Sequence, residues 1–277
     1  MILENSYFLK YYHECSKTES INLDKISLNF HTTNLNRKIA YKKIEVNLQK
    51  KPGILFLGGL ASDMEGTKAK FLEEWCLSNN KSFVRFDYSG HGKSDGNFTD
   101  GSILSWFEDA LSILDELTNG KQILIGSSMG GWISLLLAKN RPNKIHSIIG
   151  IAAAPDFTED LMWTSFSEYE KKSIIKDGVL LQESEYSDEP YKISKNLIFH
   201  SRNCLVLREK LDLGFPIRLL QGTADNDVPL DTALRLINHI DCNDAKLEII
   251  KEADHSFSSD RCLKLIIKNL EELLELE

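Results

Sequence analysis

Three side chains in this sequence could share one piece of nucleophilic chemistry if the fold brought them together: Ser128, Asp225 and His255. A serine hydroxyl is a weak nucleophile at neutral pH. It becomes a strong one when an imidazole within hydrogen-bond reach takes its proton and a carboxylate orients that imidazole. Ser128 sits in Gly126-Ser127-Ser128-Met129-Gly130-Gly131, between the apolar run Gln122-Ile123-Leu124-Ile125 and the amphipathic stretch 132–138. That order predicts a buried strand, a sharp turn and a helix. At such a nucleophile elbow the serine stands above the carboxyl edge of the sheet on a strained backbone, and glycines two residues to either side let strand and helix cross closely. The five-residue pattern by itself is weak, since chance supplies it in about a tenth of chains with this glycine and serine content. The strand and helix around it give it meaning.

The two partners follow in the order that such a serine requires, acid and then histidine, each on a loop after a strand. Asp225 lies in Gly222-Thr223-Ala224-Asp225-Asn226-Asp227-Val228-Pro229, just beyond the apolar run 217–220; His255 lies in Ala253-Asp254-His255-Ser256, just beyond 247–250. Asp227 is an alternative acid, although its place before Val228-Pro229 suits a residue at a helix start. His91 is an alternative base, but it precedes the serine, and a loop-packing or pocket-lining role fits it better. His13, His31, His146, His200 and His239 read as structural or exposed, with His200 placed where it could face a substrate. Asp87 ends a strand and is expected to satisfy backbone donors in the glycine-rich loop 88–96.

Acyl transfer also needs two preorganised N–H groups for the developing oxyanion. One is the amide of Met129, next after the serine and at a helix N-terminus, where the helix dipole favours negative charge. The other is expected from Leu60, because Gly58-Gly59 lets the backbone turn its amides toward the serine; the alternative for Gly58-Gly59 is a plain strand-ending turn. No His-Glu-x-x-His or paired His/carboxylate spacing suggests a metal, and the loop 88–96 leads into no immediate helix, so neither a metal nor a nucleotide cofactor is expected.

The elements that must position these residues can be read from periodicity. Residues 26–31 and 38–46 alternate as half-exposed antiparallel strands do, with a turn at 34–36. Continuous apolar runs at 52–57, 82–87, 122–125, 145–151, 215–220 and 246–250 read as buried strands. Helical spacing falls at 67–78, 102–117, 132–138, 230–240 and 261–276. Strands alternating with helices in this way predict a mostly parallel sheet with helices on both faces. From about 156 to 214 the alternation stops. That stretch is acidic and reads as helical, with aromatics at Trp163, Phe166, Tyr169, Tyr186, Tyr191 and Phe199. It is expected to be a helical lid inserted into a single domain of residues 1–277, its aromatics forming either an acyl pocket or ordinary lid core. Residues 1–25 suggest no element.

The composition, 42% hydrophobic and 27% charged with net charge −8, is that of a globular chain and argues against nucleic acid or an anionic membrane surface as partner. No apolar run approaches the ~20 residues that span a bilayer, so no stable membrane insertion is expected. The first ten residues lack a basic segment before a long apolar core, which predicts no secretory leader. Five widely spaced cysteines, Cys15, Cys76, Cys204, Cys242 and Cys262, suit reduced thiols and a cytoplasmic location. Oligomeric state is not legible.

The chain resembles the α/β-hydrolase superfamily. Within it, the chain is similar to the mitochondrial family of palmitoyl-protein thioesterases that also cleave acyl-glucuronides, with its bacterial relatives. The resemblance runs from about residue 51 to the C-terminus and is carried by Gly66-Thr67-Lys68-Ala69, by Val84-Arg85-Phe86-Asp87-Tyr88-Ser89-Gly90, by Lys93-Ser94-Asp95-Gly96, by 122–132 and by Pro216-Ile217-Arg218-Leu219-Leu220. It implies a nucleophile, acid and base at Ser128, Asp225 and His255. It also implies hydrolysis of an acyl ester or thioester, on a small molecule or an acylated protein. General carboxylesterase or monoacylglycerol-type lipase activity is the alternative within enzymes, and a non-catalytic binding protein on the same fold is the alternative outside them. Gly58-Gly59 departs from the His-Gly found at that place in many members, and the insertion is the least similar part.

Overall fold

The computed structural model describes residues 26–46, 51–182 and 190–276. Its centre is an eight-stranded sheet in the order β1-β2-β4-β3-β5-β6-β10-β12. In chain order these are β1 (Asn29–Thr32), β2 (Lys38–Ile44), β3 (Gly53–Leu57), β4 (Phe83–Phe86), β5 (Gln122–Ser127), β6 (Ile145–Ile151), β10 (Ile217–Gly222) and β12 (Ala245–Ile250). β1 runs antiparallel to β2, and β2 antiparallel to β4; every other pairing in the sheet is parallel. The mostly parallel sheet read from the sequence is therefore what forms.

Helices cover both faces because the strand side chains divide between them. Ile54, Phe56, Ile123, Ile125, Ile149 and Ile151 pack with α1 (Thr67–Ser78) and α7 (Asp260–Glu275). Leu55, Leu57, Leu124, Ile148 and Leu219 pack on the opposite face with α2 (Ile103–Leu117), α3 (Met129–Asn140) and α6 (Leu230–His239). Period-two alternation along a strand sends neighbouring side chains to opposite faces, so continuous apolar runs are what a doubly covered sheet demands. The two faces together hold Ser128 and the β3 loop to one edge. After β3 the chain places β4 on one side, then returns so that β5 pairs with β3 on the other. Strand order reverses there, and the crevice beyond the carboxyl ends of β3 and β5 is where open sheets of this kind bind ligands.

The segment 156–214 departs from the expected all-helical form. A six-residue π-helical stretch (Thr158–Trp163), α4 (Glu168–Asp177) and α5 (Lys195–Ser201) are joined by an antiparallel hairpin of β7 (Val179–Gln182) and β8 (Tyr191–Ser194). Gly178, at φ 82°, stops α4 in the left-handed conformation, and the apolar run Val179-Leu180-Leu181 then pairs with Ser194, Ile193 and Lys192. The pairing bridges intervening residues that carry no period of their own, which is why local periodicity missed it. The hairpin's intervening residues, Tyr186 among them, lie outside the described residues, as do residues 1–25 with His13 and Cys15. The two-residue strands β9 (Leu211–Asp212) and β11 (Ile240–Asp241) pair separately. Cys76, Cys204 and Cys262 are buried thiols, the first two raised by burial, Cys204 to about 11. No helix among the described residues is long and apolar enough to cross a membrane.

Asp156 ties the two ends of this segment together. Its side chain is fully buried, and its two oxygens accept from the amides of Val206 at 2.8 Å and Leu207 at 2.9 Å. Burial pushes its carboxyl up, against those two amides and Arg208. Asp156→Ala strands two buried N–H groups and is expected to cost about 2–4 kcal/mol. The check is a drop in the urea midpoint at unchanged slope, larger than that of Asp156→Asn, which keeps one acceptor.

Candidate active site

The turn after β5 is the tightest passage in the molecule. Ser128 caps the N-terminus of α3 at φ 54° and ψ −115°, a conformation that a side chain normally avoids. The crossing is close because glycine allows it. A Cβ on Gly126 would lie 2.3 Å from the Gly130 carbonyl oxygen, and one on Gly130 would lie 2.1 Å from the Leu57 carbonyl oxygen. The Ser128 amide donates to Ile151 O at 2.8 Å, and Ser128 O accepts from the amides of Gly131 at 2.9 Å and Ala154 at 3.1 Å. Strand β6 thus clamps the elbow from beside it.

The two partners arrive on neighbouring loops. After β10 and β12, Thr223 N donates to Ile250 O and Ala224 N to Ala253 O, both at 3.0 Å, so the Asp225 and His255 loops are held to each other by backbone. His255 Nε2 lies 3.1 Å from Ser128 Oγ, and its Nδ1 lies 3.0 and 2.9 Å from the two Asp225 oxygens. The geometry suits a ring that carries its proton on Nδ1, donates it to Asp225, and offers Nε2 to the serine. Asp225 is buried and also accepts from Gln221 Nε2 at 2.9 Å, from the Val228 amide at 2.8 Å and from the Asp227 amide at 3.0 Å. Burial pushes its carboxyl up, but the His255 imidazole, the Val228 amide and Gln221 outweigh burial and hold it below the usual carboxylate range. Asp225, Asp227 and His255 each bring a donor atom within 4.8 Å of the others, a spacing a cation could use. The Asp225 oxygens, however, already face three N–H donors and the imidazole.

Three residues named from sequence therefore meet, with Asp227 beside them at the rim of the cleft and His91 elsewhere. Asp227 is exposed and gives its amide to Asp225; the helix behind it begins at Leu230 with Pro229 as cap, so Asp227 is not the helix-start residue either. Asp87 serves backbone donors as expected, accepting from the amides of Met64 at 2.6 Å and Lys93 at 2.7 Å. Burial raises its carboxyl despite those bonds. His91 is buried and packs in the loop after β4. His200 is exposed and lies off the cleft. Gln221 escaped the sequence reading because a glutamine at a strand end carries no local sign of a partner.

A cleft of about 600 Å³ opens over Ser128 and His255. Leu60 and Gly59 line it from the β3 loop, while Met129 is buried in the first turn of α3. Its apolar lining includes Phe98, Phe157, Leu161, Met162, Ile193 and Leu197, most of it from the segment 156–214. Its polar lining includes Ser62, Asp63, Thr67, Lys68 and Ser256, together with Gln182 and Lys192 of the hairpin. Lys68 donates through Nζ to the Ser256 carbonyl, and burial lowers its ammonium to about 8 against the pull of Asp254. The aromatics of the segment are spread over three settings. Phe157 and Tyr191 line the cleft. Trp163 packs edge-on against Phe166 and Phe199, and Tyr169 stands in solvent.

Comparison with known proteins places this geometry in company. The alpha/beta hydrolase fold family matches residues 54–197. The mitochondrial palmitoyl-protein thioesterase ABHD10 of Homo sapiens is 36% identical over 259 residues, covering 91% of this chain and 81% of that protein. Among solved structures, a putative hydrolase from Agrobacterium vitis S4 superposes with a TM-score of 0.87 at 35% identity, covering 91% of this chain and all of the other. The alpha/beta hydrolase domain-containing protein 10 from mouse superposes at 0.82 and 35% identity, with 90% and 98% covered.

A carboxyl held low in the fold adds stability that is complete above its unfolded pKa, about 3.9 for Asp, and is lost as pH falls through the lower folded value. Asp225→Asn is therefore expected to flatten the acid limb of the stability profile below about pH 4, read by urea unfolding from pH 2 to 7.

Proposed function

The chain belongs to the α/β-hydrolase fold family, and on that premise we propose that it is a serine hydrolase cleaving acyl esters or thioesters through an acyl-enzyme on Ser128. One observation carries the reading: the unbroken relay from Ser128 Oγ through the His255 ring to the buried Asp225 carboxylate, at the floor of a cleft. In this reading His255 Nε2 accepts the serine proton as Oγ attacks the acyl carbonyl. Asp225 keeps the ring in the tautomer that can accept it and stabilises the imidazolium that forms. The amides of Met129 and Leu60 hold the negative oxygen of the tetrahedral intermediate. His255 then gives the proton to the departing alcohol or thiol, and a water activated by the same ring frees the acid.

The mixed lining of the cleft supports a division of the substrate. Its apolar residues suit an acyl chain, and its polar ones, with the cationic Lys68, suit a polar leaving group. The segment 156–214 acts as the lid that supplies the acyl side. The human relative is a palmitoyl-protein thioesterase, which supports a long-chain acyl thioester as the preferred class. The acidic balance and separated cysteines support a cytoplasmic location, although that relative is mitochondrial.

Purified protein is expected to hydrolyse acyl-thioesters and p-nitrophenyl esters with a preference that rises with chain length. Ser128→Ala should lose about six orders of magnitude in kcat. A fluorophosphonate should label the wild type and spare the Ser128→Ala protein; equal labelling of both overturns the serine mechanism. A flat preference for short oxygen esters overturns the thioesterase reading alone. Asp225→Asn, with the ring tautomer no longer enforced, is expected to lower kcat about 10⁴-fold.

A further inference from the structure

The proton relay does not use His91, yet this histidine is held more firmly than a packing residue needs to be. It is buried in the glycine-rich loop after β4, and Trp106, Phe98 and Tyr88 meet its ring edge-on at centroid distances of 5.0, 5.2 and 5.7 Å. Its two nitrogens have different partners. The Ala61 amide donates to Nε2 at 3.1 Å, and Nδ1 lies 3.2 Å from the Ser89 carbonyl oxygen. An amide can only donate and a carbonyl can only accept, so the two partners together fix one neutral tautomer: proton on Nδ1, lone pair on Nε2. Burial keeps the imidazole below its ordinary pKa, against the Ser89 carbonyl and the Asp109 carboxylate that pull it up.

The amide that this lone pair receives lies next to the one assigned above to the oxyanion. Ala61 stands at φ 54°, a left-handed conformation that costs a non-glycine residue roughly 1–2 kcal/mol. Such a conformation persists only where its surroundings enforce it. The turn closes through Gly59 O, which accepts from Ser62 N at 3.3 Å and Ser62 Oγ at 2.8 Å. It leans on the nucleophile: a Cβ on Gly59 would sit 3.5 Å from Ser128 Cβ. The loop after β4 grips the same backbone a second time three residues on, where Asp87 accepts from Met64 N. That loop is itself braced, with Trp106 Nε1 donating to Ser89 O at 3.0 Å and Ser89 Oγ donating to Asp109 at 2.6 Å.

We propose that His91 is a positioning residue for acyl transfer: its Nε2 lone pair holds the backbone of residues 59–62 in the arc that points the Leu60 amide at the oxyanion. The inference rests on the reading of Ser128 as nucleophile and Leu60 as oxyanion donor. It gives the glycine-rich loop after β4 a function, as the template on which the turn after β3 is shaped.

Three substitutions test it, with kcat and KM measured on the best ester substrate and folding checked by thermal unfolding. His91→Gln can place an oxygen where Nε2 stood. His91→Met has nearly the same shape without a good acceptor. His91→Asn keeps a donor for Ser89 but falls short of Ala61. Loss of a whole oxyanion donor lowers kcat by about 10²–10³, so loosening one should lower kcat by about 10–100-fold in the methionine and asparagine variants, with KM within about threefold. The glutamine variant should recover to within about fivefold of wild type. Equal kcat in the methionine and glutamine variants overturns the proposal, as does a loss that follows KM or melting temperature instead of the acceptor. Failure of the underlying reading looks different: Ser128→Ala would then keep its activity and its fluorophosphonate label whatever stands at position 91.

Discussion

The backbone of Ser128 occupies a conformation that costs a residue with a side chain on the order of 1–3 kcal/mol, and much of the surrounding structure is arranged to hold it there. Only glycine at 126 and 130 lets the strand and helix approach closely enough to make the turn. A third contact, where a Cβ on Gly131 would lie 2.6 Å from Ala153 Cβ, seats the helix against the end of β6. The hydrogen bonds from Ser128 N to Ile151 O and from Ala154 N to Ser128 O fix the elbow to that strand. A strained turn clamped in this way presents a hydroxyl at one place with little freedom, and positioned reactants lower a barrier through entropy already given up.

The parallel sheet turns that one fixed point into a site. Strands β3, β5, β10 and β12 all end at the same edge, so the loops carrying Leu60, Ser128, Asp225 and His255 converge although they span nearly the whole described chain. The two apolar layers above and below the sheet keep the strand ends in register. Charged groups inside those layers are paired; Arg85, almost wholly buried, forms a two-point contact with Glu73 at 2.8 and 2.7 Å. Such a pair adds little net stability, because removing two charges from water costs about what their attraction returns.

The segment between β6 and β10 obeys different physics. It contributes much of the apolar lining of the cleft and is seated on the core through buried Phe166, Leu197, Ile198 and Val206. Polar ties brace it further, mostly within the segment: Asp156 to the Val206 and Leu207 amides, Asp160 to Arg208 and to Arg235 of α6, and Arg202 to Glu159. Arg202 also lies over the rings of Trp163 and Phe199. Partly exposed ion pairs of this kind are individually weak and screened by salt. The buried Asp156 contact is the exception, since its donors have no water to turn to.

How much of this was legible beforehand follows from the range of the interactions. The helix over 67–78 matches residue for residue, and the buried strands fall within a few residues of their places, because glycine punctuation and side-chain period are local and survive without tertiary context. The order serine, aspartate, histidine was legible for the same reason, as each stands just after a recognisable strand. The hairpin within 156–214 was not, because its pairing partners are separated by residues that carry no period of their own. Nor was the grip of His91 on Ala61 or of Gln221 on Asp225, since nothing local announces a hydrogen bond made across a fold. By itself, then, the sequence determined which residues carry reactive groups and which elements deliver them to the sheet edge. Tertiary structure alone decided the 3.1 Å approach of His255 to Ser128, the contact of its ring with the buried Asp225, and the tautomer and hold of His91. Distances of that kind are set by packing between strands remote in the chain, and no local pattern contains them.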